Sequence, residues 1–337
     1  MKIKKFAPLF ITPLMLIGCN NNQHANVGLL YCASEANSLY QVRVVQQELE
    51  EKGLSTKLIS FNDSNDISSV LNGVISKVDT LYIPTDNTCA SNASIINTAV
   101  RENKVPVFAG EEGLCKGCGA ITLSISYYNI GVKTGQMAAD VLLGTSDIST
   151  LPIAYDQSPV KKYNKDFCDE VGITVPSDYI EINQQPNVAS SFNFTNLNTS
   201  NTHFNIGICQ LVNHVALDAA TQGFQDALKG ILGEANVTFD LQIAAGDSGL
   251  CTTIVNNFVS HNVDLIMANA TPALQAAANS TTTIPVLGTS ITEYGVALNI
   301  PDFTGVVGGN VSGTSDLAPL KEQASMLADV FKDFMKK

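Results

Sequence analysis

The chain has 337 residues, 45% hydrophobic and 15% charged, with 24 glycines and a formal net charge of −12. That length is enough for two medium lobes, each with a core of its own. The acidic balance argues against a nucleic-acid binder, which needs a basic surface for phosphate contacts. With no Trp in the chain, any aromatic platform falls to Tyr or Phe.

The opening stretch MKIKKFAPLFITPLMLIGCNNNQ sets Lys2, Lys4 and Lys5 before an apolar run over 6–17 that is too short for a stable membrane span. Its ending, Leu16-Ile17-Gly18-Cys19, resembles a bacterial lipobox. The resemblance implies a lipoprotein signal peptide over 1–19, lipidation of Cys19 and a polar tether over 20–25. The alternative is a plain secretion signal with an incidental cysteine. No later apolar run reaches roughly 18 residues, so no other span is expected. Export implies an oxidising or surface compartment for the remaining cysteines.

Apolar runs and helix-period stripes then alternate. NVGLLY (26–31) is a strand, followed by a helix over 34–52 with Val42, Val45 and Leu49 on one stripe. TKLISF is a strand, 66–76 a helix, DTLYIP a strand, 89–101 a helix and VPVFAG a strand. This order implies βαβ units and a parallel sheet with right-handed crossovers. A loop carrying two cysteines leads to the strand AITLSIS, a helix over 127–143, the short strand PIAYD and a short helix over 165–171. The segment 183–203 is rich in Asn, Ser and Thr without a period, and reads as a linker. A second alternation follows. NIGICQL is a strand and 216–231 a helix; VTFDLQIA is a strand; a helix opens at Asp247 or Ser248; VDLIMAN is a strand; a helix begins with Thr271 as N-cap and Pro272 at N1; IPVLGTS is a strand; and a last helix spans 317–335. Two plain α/β lobes account for every run except that last helix, which no strand follows.

Several loops are specific. LLYCASEANS, TLYIPTDNTCAS and VPVFAGEEG…GAITLSISYYNIGVKTGQMAADVLLG stand in the first segment; GICQLVNHVALDAATQGF, DLIMANATPALQAAAN and GGNVSGTSDLAPLKEQ in the second. Together they resemble the substrate-binding proteins of ABC importers whose characterised members bind tryptophan and related aromatic amino acids, over nearly all of the mature chain. The order differs: in that family the segment that here begins at 204 comes first, so this chain resembles a circular permutant whose natural ends are joined by the linker. Surface termini that lie close together permit such a rearrangement. Two halves of neighbouring gene copies in one reading frame would give the same sequence. The resemblance implies an α/β fold of type I periplasmic-binding-protein architecture, with two Rossmann-like lobes on parallel sheets in circularly permuted order. Lobe A would hold most of 26–182 and the helix 317–337; lobe B would hold 204–316 and a returning piece over 119–150. Hinge strands would lie near 117–120, 153–156 and 313–315.

Ligands of open α/β sheets bind beyond the C-terminal strand ends, where helix N-termini offer free N–H groups. The motif loops there supply Ser34, Glu35, Asn37, Ser38, Asp86, Asn87 and Thr88 from one lobe, and Gln210, His214, Asn269 and Thr271 from the other. Ser34 and Thr271 can cap helices, contact ligand or do both. Asp86 can pair with an α-ammonium group or act as an Asx-turn or cap residue. Thr314 and Ser315 are hinge residues within reach of ligand, Asp316 caps the last helix, and Tyr127, Tyr128 and Tyr294 can stack on an aromatic ligand. Cys115 and Cys118 form a CxxC read as lying in a loop by the cleft, near Cys32 and Cys89. A disulfide between them, or of one with Cys32 or Cys89, is expected, with a metal site of four cysteines or thiol-redox chemistry as alternatives. Cys209 and Cys251 are free thiols or a second pair. No catalytic motif is present and no cofactor is implied. The function expected is a lipid-anchored binding protein that delivers an amino-acid-like ligand to an ABC permease; a thiol or metal lipoprotein and a sensory receptor are the other readings.

Overall fold

The computed structural model describes residues 24–155, 158–182 and 192–335. The expected signal peptide with Cys19, most of the tether, Asp156 and residues 183–191 of the linker lie outside the described residues.

Lobe A begins with β1 (Ala25–Cys32), an apolar strand buried on both faces, as a central parallel strand must be. It continues through α1 (Ala36–Glu51), β2 (Thr56–Phe61), α2 (Ile67–Val74), β3 (Val78–Ile83), α3 (Asn87–Ser91), α4 (Ala93–Glu102), β4 (Val107–Ala109), α5 (Glu112–Cys118) and β5 (Ile121–Ser124). The chain then leaves for the other lobe, with α6 (Tyr127–Leu142) and β6 (Ala154–Tyr155), and returns as β7 (Val160–Tyr163), α7 (Lys165–Val171) and β8 (Ile180–Glu181). The sheet of lobe A runs β2-β1-β3-β4-β5-β7-β8, parallel except where β7 pairs antiparallel with β5.

Lobe B contains β9 (Phe204–Gln210), α8 (Val215–Leu232), β10 (Val237–Ile243), α9 (Ser248–Ser260), β11 (Leu265–Asn269), α10 (Thr271–Ser280), β12 (Val286–Ile291), α11 (Tyr294–Ala297) and β13 (Val311–Ser315). Its sheet runs β10-β9-β11-β12-β13-β6, parallel throughout. The last helix, α12 (Leu320–Phe334), crosses back and packs on lobe A beside α1. Its Leu320, Ala324, Leu327 and Phe331 enter the lobe A core. Gln323 fixes it: Nε2 donates to the carbonyls of Gly110 at 3.0 Å and Leu123 at 2.8 Å, and Oε1 accepts from Tyr82 OH at 2.7 Å. In lobe B, α6 lies directly on α8. A Cβ at Gly131 would sit 2.0 Å from the carbonyl oxygen of Ala220, and one at Gly223 2.2 Å from that of Tyr128, so only glycine permits this approach.

Four expectations need correction. β5 pairs with β4 through Phe108↔Ile121, so the chain leaves lobe A after Ser124 and not at 117–120, and 119–124 do not belong to the returning piece. A short apolar strand reads the same in either sheet, and only the pairing assigns it. The cysteine loop is helix α5, started by Glu111, whose carboxylate accepts from the backbone N–H groups of Gly113 and Leu114. Helix 89–101 is two helices, breaking at Asn92. Ala270, not Thr271, holds the cap position of α10, with φ +90°, and no side chain caps that helix. Of the two residues offered for α9, Asp247 is the cap.

Candidate functional site

The loops and helices that follow β1, β3 and β4 touch those that follow β9 and β12. His214 Nε2 lies 3.2 Å from Asn87 Oδ1, Gln41 Nε2 donates to Thr292 Oγ1 at 3.5 Å, and Gly113 packs against Val215.

On lobe A, Glu35 precedes α1 but caps α3 instead. Its Oε2 accepts from the N–H and Nδ2 of Asn87 at 3.0 and 2.9 Å, and its Oε1 from the N–H and Oγ1 of Thr88 at 2.8 and 2.7 Å. A carboxylate suits the positive end of a helix. Asp86 Oδ1 caps α3 at Cys89 N, 2.8 Å away, while Oδ2 accepts from Cys32 N at 2.7 Å and from Ser38 Oγ. Of its two expected roles, capping is the one the geometry displays. Burial, then the nearby Glu35 charge, pushes the Asp86 carboxyl up to about 7. Asn37 Nδ2 donates to the Thr85 carbonyl at 3.1 Å. Ser34 stands apart: it is exposed, does not cap α1, and donates to the Asn62 carbonyl at 3.3 Å.

On lobe B, Gln210 donates to the Val212 carbonyl at 2.9 Å and to Asp218 Oδ1 at 2.7 Å, and accepts from Thr221 Oγ1 at 2.7 Å. Asn269 Nδ2 donates to the Leu217 carbonyl at 2.8 Å and to Thr221 Oγ1 at 3.0 Å. The three side chains brace the loop that presents His214. Burial pushes the His214 imidazole down to about 4, so it is neutral at neutral pH. A neutral ring that donates from Nε2 to Asn87 leaves Nδ1 as an acceptor.

Four buried polar atoms at this meeting of loops have no partner: Asn37 Oδ1, His214 Nδ1, Asn269 Oδ1 and Ser290 Oγ. Three are acceptors. Unmade hydrogen bonds in buried positions cost about 1–3 kcal/mol each, so they mark places where a further donor belongs. Ser290 escaped the sequence reading. It sits in β12 with φ +55°, where the register with β13 slips, and its only sequence signal is the small polar ending of an apolar strand. Non-glycine residues in such backbone, here Ser290 and Ala270, tend to cluster at functional sites. The buried charges are one-sided. Glu35, Asp86, Glu111 and Asp316 are buried, and among the described residues no Lys or Arg is. Asp316 accepts from Tyr127 OH at 2.8 Å and Thr292 Oγ1 at 2.9 Å; it does not cap α12, whose cap position is held by Pro319.

The other expected residues are occupied elsewhere. Thr314 Oγ1 bonds Thr134 and Thr289 inside lobe B, and Ser315 Oγ donates to the Thr292 carbonyl. Tyr294 is buried with its hydroxyl on the Thr314 carbonyl, and Tyr128 bonds Asp226 beside Phe192. Thr271 is buried at the start of α10. A groove of about 370 Å³ runs along α6, lined by Lys133, Tyr155 and Phe192 among others; of the expected residues only Thr314 borders it. Cys115 and Cys118 are buried thiols on the helix α5 and not in a loop, and all seven described cysteines, Cys209 and Cys251 included, stand unbridged in this structure. Among the described residues no group of three His, Cys, Asp or Glu side chains is arranged to hold a metal ion, and no helix is long and apolar enough to cross a membrane.

Comparison with known proteins places this geometry. The family described as ABC transporter substrate binding protein matches residues 20–185 and 205–336. The tyrosine-binding protein of Clostridioides difficile (strain R20291) is 33% identical over 134 residues, 38% of this chain and 36% of that protein, so the chain spans about a third of this curated relative. The L-Trp complex of an ABC domain from Streptococcus pneumonia is 27% identical over 47% of this chain and 56% of that one, with a TM-score of 0.44. A periplasmic component of an ABC-type sugar transport system from Hahella chejuensis, 16% identical, covers 91% of this chain and 93% of its own at a TM-score of 0.57, and shows the shared fold: the two-lobed, type I periplasmic-binding-protein architecture. With both matched segments together spanning nearly the whole described molecule, the chain belongs to the family of ABC transporter substrate-binding proteins.

Proposed function

We propose that the chain is a lipid-anchored, extracytoplasmic binding protein that holds a small aromatic amino acid between its lobes and delivers it to an ABC permease. The unpartnered acceptors carry this reading: Asn37 Oδ1, His214 Nδ1 and Asn269 Oδ1 lack donors in a region whose buried charges are all negative. An α-ammonium group brings three N–H donors and a positive charge to such a place. The N–H groups opening α10, with Ser290 Oγ beside that strand end, suit the ligand carboxylate. Asp86, Glu35 and Gln210 then act by holding the loops, with Asn87 coupling His214 to lobe A. Relatives that bind tyrosine and L-Trp support the aromatic class. Delivery requires the lobes to part and close about the crossings between them.

The order of segments supports a circular permutation, the linker joining the family's usual ends. The family match breaks at 185–205, within that linker. Cys19 is the proposed lipid attachment, and Cys19→Ser should move the protein from the membrane fraction to the soluble one.

The binding test is a thermal-shift series with tyrosine, tryptophan and phenylalanine. A ligand at 100 times its Kd adds about 2.7 kcal/mol of stability. Asn37→Ala and His214→Ala should each weaken binding about tenfold, roughly 1.4 kcal/mol. If no aromatic amino acid raises Tm, the ligand class is wrong; if one does and both variants bind it normally, the site is wrong.

A further inference from the structure

All seven described cysteines are buried. Three direct sulfur to an oxygen atom: Cys32 to Ser34 Oγ at 3.0 Å, Cys118 to the Leu114 carbonyl at 3.5 Å and Cys168 to the Ala120 carbonyl at 3.3 Å. Cys209 and Cys251 instead share one buried apolar cluster where α9 packs on β9. Cys209 is in β9, one residue before Gln210, and Cys251 is in the first turn of α9. The helix packs on the strand, and both sulfurs lie fully buried in one apolar cluster with Leu211, Ala244 and Val255. The ligand-facing network uses neither thiol.

We infer that Cys209 and Cys251 form a disulfide in the exported protein. The choice of partners rests on the packing alone, while the supply of oxidant rests on the extracytoplasmic placement proposed above. Two thiols lose two protons and two electrons to an external disulfide. The Cys251 thiolate attacks one sulfur of that oxidant, forming a mixed disulfide and releasing one thiolate. The Cys209 thiolate then attacks the Cys251 sulfur and releases the second. Since neither sulfur reaches solvent in the folded lobe, exchange happens before α9 docks on β9 or when it lifts, and docking selects this pair. Cys115 and Cys118 share one short helix, with Cys118 already turned to its own backbone. The bridge fastens the start of α9 to the strand that carries Gln210 and the His214 loop. It also restrains the unfolded chain between 209 and 251, which stabilises the fold.

The test uses the full mature chain refolded in a mixture of reduced and oxidised glutathione. The protein is denatured with N-ethylmaleimide present and no reductant, digested and mapped by mass spectrometry. The expected map joins the Cys209 and Cys251 peptides without alkylation, alkylates the other cysteines, and loses the joined species on dithiothreitol treatment. Reduction should lower Tm, and Cys209→Ser should lose the joined species and the reductant-dependent shift together. Alkylation of both residues in the refolded, unreduced protein overturns the pair, as does Cys209 joined to any other cysteine. A pair that closes on refolding but is alkylated in protein taken from the cell envelope overturns the extracytoplasmic placement while leaving the packing argument intact.

Discussion

His214 gives the most demanding test, because its environment sets both the sign and the size of a pH effect. The unfolded imidazole takes a proton near 6.5, whereas burial holds the folded one down at about 4. Between those values the unfolded chain binds the extra proton, so stability rises with pH over that window and is constant above it. At 1.36 kcal/mol for each tenfold in proton affinity, the depression amounts to about 3 kcal/mol, an upper figure for a side chain that is not fully enclosed. Asp86 and Glu111, each raised to about 7 by burial, run the other way, costing stability as pH climbs from the ordinary carboxylate range toward 7. A raw stability curve therefore mixes opposing slopes. The difference between the wild type and His214→Gln, from urea unfolding of the ligand-free protein at pH 4 to 8, isolates the histidine. It should shift in favour of the wild type by about 3 kcal/mol from pH 4 to 6.5 and then level off. A difference that does not change with pH refutes the placement of His214 as a buried neutral ring.

Gly131→Ala should destabilise lobe B by about 3 kcal/mol, read from urea unfolding, because the new methyl group meets the Ala220 carbonyl on the facing helix. Ala270→Gly should stabilise by about 1 kcal/mol in a thermal melt, since glycine holds φ +90° without strain. Gln323→Ala strands Tyr82 OH and two carbonyls in the lobe A core and should cost about 3–5 kcal/mol, lowering the urea midpoint.

The central strands were legible because β1, β3, β9, β11 and β12 are mostly apolar and buried, as strands covered on both faces must be. β7 was not: its Val-Lys-Lys-Tyr carries no alternation, and it is held by antiparallel pairing to β5. Helix α5 was hidden by its glycines, and its start depends on Glu111, a cap whose acceptor role only the backbone reveals. The motif loops stand at the strand ends where the lobes meet, and Glu35, Asn37, Ser38, Asp86, Asn87 and His214 come together there. What each side chain does in that place was not legible. Asp86 looks free in sequence and is engaged at both oxygens by Cys32, Ser38 and Cys89, while Tyr127 and Asp316 meet across 189 positions of chain.

The interleaving of the lobes bears on how the molecule assembles as it is made. Helix α6 is synthesised well before α8, the helix it must lie against, and α12 comes last although Gln323 bonds Tyr82, Gly110 and Leu123, which lie 241, 213 and 200 positions earlier. Closing such distant contacts costs loop entropy and slows folding. Lobe A lacks its final helix until synthesis reaches α12, and lobe B cannot cover Ile130, Met137 and Ala138 until α8 emerges. During most of its synthesis the chain therefore carries two unfinished cores, whose uncovered apolar faces are open to misassociation until α8 and α12 are made.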